Sequence, residues 1–213
     1  MTPTPPPPPQ QVGLINDAAR APDSLTVNWL DVAGATSYDA RITDPSGNTT
    51  MKANVTRPVT FDSLVPTDRY VIAARAVNNN GASQWSADFA TRTRPATPPA
   101  PSATIDAVIP VFIVTWSIAG PSGGTVSLRQ VGNGSDTEVV SGGPLTGSQA
   151  FSSIPSGVQW QFLSQLTVPA PDLPGSTNVS FWGPATTIVS VPALSTSDSM
   201  RKTYGPVQPR IRL

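Results

Sequence analysis

The chain has 213 residues and contains neither cysteine nor histidine. The lack of cysteine excludes a disulfide framework, and with it any reading of redox compartment from cysteine usage. The two absences together exclude zinc sites built on thiolate or imidazole. They also exclude nucleophilic systems of the Ser–His–Asp or Cys–His kind. Charge is sparse: 12% of residues are Asp, Glu, Lys or Arg, 13 of each sign, for a net charge of zero. No stretch approaches the ~20 apolar residues that span a bilayer. The first residues, MTPTPPPPPQQ, show neither the basic start nor the apolar segment of a signal peptide. A chain starting at Met1 is therefore expected not to leave a cell by a cleaved signal.

Proline and glycine are abundant, 25 and 16 residues, against an average combined usage of about 12%. Many turns and little surface helix follow. Thr, Val and Ser fill much of the remainder and suit strands. The charge that exists is uneven. Residues 103–192 hold Arg129 against Asp106, Asp136, Glu138 and Asp172, whereas residues 193–213 hold Arg201, Lys202, Arg210 and Arg212 against Asp198. The body carries no basic footprint for nucleic acid. The tail is basic.

Two proline-rich stretches divide the sequence. Pro5 to Pro9 predicts a stiff polyproline II arm over residues 1–9. Pro95, Pro98, Pro99 and Pro101 predict a semi-rigid linker over 95–102. The segments they bound, 10–94 and 103–192, are similar in length and suggest a repeat. The first alternates with period two: Leu25, Val27, Trp29; Tyr38, Ala40, Ile42; Val59, Phe61; Tyr70, Ile72, Ala74, Ala76; and a last run from Phe89 to Thr93. Asp44-Pro-Ser-Gly47 and Asn78-Asn-Asn-Gly81 supply turn chemistry between runs. About seven short strands of this kind predict an all-β sandwich.

The run from Leu64 through Pro66, Tyr70, Ile72, Ala74, Ala76, Asn78, Gly81 and Ser83 to Trp85-Ser86 resembles the second half of a fibronectin type III module. In that family a Leu stands six residues before a corner tyrosine, as Leu64 does before Tyr70. The resemblance implies that the Tyr70 hydroxyl bonds to backbone near the preceding turn. It also makes Trp29 the core tryptophan of the second strand. The second segment resembles the family more weakly. Phe112, Val114 and Trp116 alternate as Leu25, Val27 and Trp29 do. Val126 and Leu128 follow as a strand. Ile154-Pro155 precedes Trp160 as Leu64 precedes Tyr70, so an indole takes the corner position and cannot make the hydroxyl bond. Trp182-Gly183 aligns with Trp85-Ser86. The predicted fold is two tandem fibronectin type III-like (immunoglobulin-like) β-sandwiches, with a different β-sandwich the alternative for the second. A terminal arm covers 193–213.

Candidate chemistry is thin. Asp62 and Asp68 flank a turn, and Asp136 and Glu138 sit in a Gly/Ser-rich turn. Neither pair lies in an apolar run that would raise a pKa. The run from Asn133 to Glu138 lacks the acid count of a calcium loop. Gly120–Gly124 and Gly142-Gly143 lack the Lys-Ser/Thr ending of a phosphate loop and read as turns. Asn48, Asn54, Asn133 and Asn178 stand in N-x-Ser/Thr sequons, a pattern common by chance in such a chain. The family's adhesive Arg-Gly-Asp tripeptide is absent. No catalytic residue, metal site or cofactor is expected.

Two groups of residues stand out as contacts. Trp85 and Trp182 are candidates for stacking on glycans. Arg201, Lys202, Tyr204, Arg210, Ile211, Arg212 and Leu213 mix basic and apolar groups between prolines and suit an arm that docks along a partner. The expected function is that of a non-enzymatic virion accessory protein, displayed on the head or tail of a tailed bacteriophage. It would be anchored to the capsid or tail lattice by its arms and would adhere weakly to host-surface glycans. Neither nucleic acid nor membrane insertion is expected. The alternative is a spacer or adhesion fragment of a secreted, extracellular bacterial protein.

Overall fold

A computed structural model describes residues 4–105, 111–132, 135–151, 159–172, 177–186 and 189–190. The fold is all-β, and among the described residues one 3-10 turn occurs, at Asp17–Ala19, capped by the Asn16 side chain. Among the described residues no helix is long and apolar enough to cross a membrane.

The first sandwich has eight strands: β1 Gly13–Leu14, β2 Leu25–Asn28, β3 Ser37–Thr43, β4 Thr49–Val55, β5 Val59–Phe61, β6 Arg69–Asn78, β7 Gly81–Ala82 and β8 Phe89–Arg92. One sheet has the order β1-β2-β5. The other has the order β4-β3-β6-β7, with β8 also on β6. All pairs are antiparallel. Period-two alternation turns one side chain set inward on each sheet. Leu25, Val27, Phe61, Ile72, Ala74 and Ala76 are almost wholly buried, and Trp29 meets Tyr38 edge to face at 5.4 Å. Each large apolar side chain buried this way contributes about 1.5–3 kcal/mol.

The second sandwich comprises β9 Ser102–Ile105, β10 Phe112–Ser117, β11 Thr125–Gly132, β12 Ser135–Gly143, β13 Thr146–Phe151, β14 Gln159–Pro169, β15 Thr177–Val179 and β16 Val189–Ser190. Its sheets run β13-β10-β9 and β12-β11-β14-β15, with β16 on β14. Strand for strand this is the order of the first: the first, second and fifth strands form one sheet, and the fourth, third and sixth form the other. Phe162 lies at its centre, stacked on Phe151 at 5.4 Å and edge-on to Phe112 at 6.3 Å.

By compactness the chain divides into two units. One gathers residues up to 98 with 120–125 and 165–182, and the other gathers the rest. Two features of the predicted organisation take a particular form. In the stretch assigned to an N-terminal arm, Pro6 and Pro9 are buried, and Asn80 donates to the carbonyl of Thr4 at 3.4 Å. Asp136 and Glu138, placed in a turn by their Gly/Ser-rich surroundings, instead lie on β12, opposite Val131 and Arg129. Hydrogen bonding along β11 outweighs the local composition there.

Candidate interaction surfaces

The tyrosine corner forms as the resemblance implies. The Val65 amide donates to the Tyr70 hydroxyl at 2.9 Å. Trp160 holds the equivalent place in the second sandwich and is buried, with its indole Nε1 lacking a partner among the described residues. Its ring occupies space that a side chain on β11 would need. A Cβ on Gly132 would stand 2.8 Å from Trp160 Cε3 and 2.4 Å from the Gln159 carbonyl.

After β7 the chain bonds to β6 at every third residue rather than every second. The amide of Ser83 reaches the carbonyl of Ala76 and that of Ser86 the carbonyl of Ala74, each at 2.8 Å. The two hydroxyls accept from the Ala76 and Ala74 amides. The second sandwich repeats the device on β14, through Ser180 to Leu166, Gly183 to Ser164 and Thr186 to Phe162. The predicted alignment of Trp85-Ser86 with Trp182-Gly183 is this geometry.

Trp85 stands immediately before Ser86 in the threefold ladder on β6. Trp85 is half-buried there, with the guanidinium carbons of Arg41 and Arg75 at 4.5 and 4.8 Å from its ring centre. Arg75 also donates to Asp39 at 2.9 Å, and Arg41 stands 3.8 Å from Asp88. Trp182 is half-buried. Arg201, Lys202, Tyr204, Arg210, Ile211, Arg212 and Leu213 lie outside the described residues, as does Asn133.

Several acids of the first sandwich are engaged in pairs and turns. Asp62 faces Lys52 at 3.7 Å. Asp44 accepts from the amides of Ser46 and Asn48 and from the Asn48 side chain, which holds its carboxyl below the usual range. Among the described residues no three acids gather as a metal cluster. Of the sequons, Asn178 is fully buried with its amide nitrogen committed to a backbone carbonyl, so it presents no acceptor at the surface.

A site that composition did not suggest lies at one end of the first sandwich. Arg57, in the β4–β5 loop, donates from Nε to Asp31 at 2.7 Å, makes a second contact with the same carboxylate, and donates to the Trp29 carbonyl at 3.0 Å. The bond from Arg57 holds the Asp31 carboxyl below its ordinary value, and Asp31 in turn raises Arg57. The only sequence signal was an Asp in one loop and an Arg 26 residues later in another, which nothing local connects.

Comparison with known proteins bears on the first sandwich directly. Residues 7–92 match the model of the family described as Fibronectin type III domain. The match begins at the prolines packed on the first sandwich and ends with β8. It covers about two fifths of the chain. No curated protein matches the chain. Among solved structures, a two-domain fibronectin type III segment of chicken tenascin is 16% identical, with a TM-score of 0.41 over 86% of this chain and 99% of that one. The FN1–FN3 domains of chicken CNTN1 are 16% identical, with a TM-score of 0.46 over 88% of this chain and 65% of that one. The FN5 domain of Drosophila Lar is 21% identical, with a TM-score of 0.36 over 43% of this chain and 98% of that one.

Proposed function

We propose that the chain is a non-enzymatic adhesion and spacer protein, presenting two fibronectin type III-like sandwiches in tandem. The observation that carries this reading is how the fold uses its polar groups. Asp39 pairs with Arg75, Asp31 with Arg57 and Asp62 with Lys52. Both cores are filled by apolar side chains. Charged groups that brace loops and sheet faces are spent on holding a shape, and the shape is what such a protein offers to a partner.

The finer reading sets this display on a virion, as an accessory protein of a phage head or tail held to the lattice through its terminal arm. The basic and apolar composition of residues 193–213 supports it. On a repetitive lattice many weak contacts add to useful avidity. Light scattering of the purified chain, beside a quantitative protein inventory of particles from the same source, tests the two together. A chain abundant on particles and released by truncation at Pro192 fits the virion setting with the arm as anchor. A chain absent from particles leaves the spacer reading alone.

A further inference from the structure

The same end of the first sandwich carries an open cleft of about 730 Å³, along which Asp31, Ala33, Thr36 and Thr56 are exposed. Its polar lining is Asp31, Thr36, Ser37, Tyr38, Thr56 and Arg57, and Val32, Ala33 and Ala35 complete it. The two charges are locked onto each other. The loops that carry them are braced twice more. Val32 donates its amide to the Tyr38 hydroxyl at 3.0 Å, and Asn78, at the end of β6, donates to the Gly34 carbonyl at 3.1 Å. The cleft is therefore preformed, and little ordering accompanies binding.

An ionic ligand would have to compete with an existing carboxylate–guanidinium pair, which selects against it. A ligand rich in hydroxyls meets no such penalty. Each hydroxyl donates and accepts, so it can donate to the fixed Asp31 carboxylate, or to the Thr36 and Ser37 oxygens whose own protons go to the Val77 carbonyl and to Asn54 Oδ1, while accepting from Arg57 or from the Thr56 hydroxyl. We propose that this cleft binds a neutral polyhydroxylated ligand, a short stretch of uncharged carbohydrate chain. The proposal rests on the adhesion reading and places the contact on the loops rather than on Trp85 or Trp182.

The test is an amide correlation spectrum of the full chain titrated with chitotriose and with maltotriose, alongside a sulfated heparin tetrasaccharide. One of the neutral sugars is expected to shift the amides of Val32, Ala35 and Thr56. Thr56→Val and Ser37→Ala should each weaken that binding about three- to tenfold, and Thr56→Val should leave the melting temperature unchanged. Shifts centred on Trp85 or Trp182 would overturn the proposal. So would a preference for the sulfated sugar, or no shift with either neutral sugar at about 20 mM. A chain that stays on particles yet gives no shifts overturns the cleft alone and leaves the display reading standing.

Discussion

Tyr70 shows how much of a module rests on one atom. Its hydroxyl is the acceptor for the Val65 amide, and the bond closes the turn between β5 and β6. Tyr70→Phe keeps the ring and removes only that oxygen. The expected cost is about 1 kcal/mol, seen as a melting temperature roughly 4–8 °C lower for a domain of this size; an unchanged melt would show the corner to be held by packing alone. The Asp31–Arg57 bond makes a different claim, on pH. Asp31 titrates below its unfolded value of about 3.9, so its contribution to stability is complete above that value and disappears as pH falls through the depressed one. Asp31→Asn is expected to flatten the decline in stability below about pH 4, while the parent chain declines more steeply. Parallel acid limbs for the two proteins, measured by denaturant melts, would contradict it.

At the scale of elements, the strands legible in the sequence are those with one buried face. Leu25–Val27, Tyr38–Ile42, Tyr70–Ala76 and Phe112–Trp116 alternate because each sheet buries alternate side chains, and all four lie in strands. β4 is exposed over nearly its whole length and leaves no period to read. It is an edge strand, and Lys52 crosses from it to donate to the Thr60 carbonyl at 2.6 Å, the inward charge by which edges resist further pairing. β12 and β13 are hidden for another reason: their glycines look like turns. A Cβ on Gly147 would lie 2.6 Å from Trp116 Cζ2 and 3.2 Å from Cη2, so this glycine makes room for an indole whose Nε1 bonds the Pro144 carbonyl. Gly147→Ala should destabilise by about 1–3 kcal/mol. Because every close contact is with the ring, Trp116→Phe should absorb part of that cost. The double mutant is expected to be more stable than the sum of the singles by about 1 kcal/mol, and strict additivity would place the strain in the backbone. The threefold ladder offers a cleaner substitution. Thr186→Val leaves the buried Phe162 amide without its side-chain acceptor and should cost about 1–3 kcal/mol. Thr186→Ser should cost far less, and hydrogen exchange at Phe162 reads the difference directly.

For the whole molecule, the repeat was visible in the sequence, and the candidate cleft was not. The repeat rests on spacing: Val27 and Val114 stand at the same step of matched runs, two residues before a tryptophan, and both are fully buried. Spacing survives divergence because the pleat imposes it. The cleft depends on loops 26 residues apart meeting at one end of a sandwich, which no local pattern encodes. Equivalence of the two valines yields a test of whether the chain carries two cores or one. Each valine fills a cavity in its own sandwich, so Val27→Ala and Val114→Ala should each cost about 1–3 kcal/mol. If each sandwich is its own cooperative unit, a calorimetric melt has two transitions, and each substitution lowers one and leaves the other in place. The double mutant then lowers both by the same amounts as the singles. A single transition moved equally by either substitution would mean that the sandwiches unfold as one body, and that the repeat visible in the sequence is a repeat of form without independence of folding.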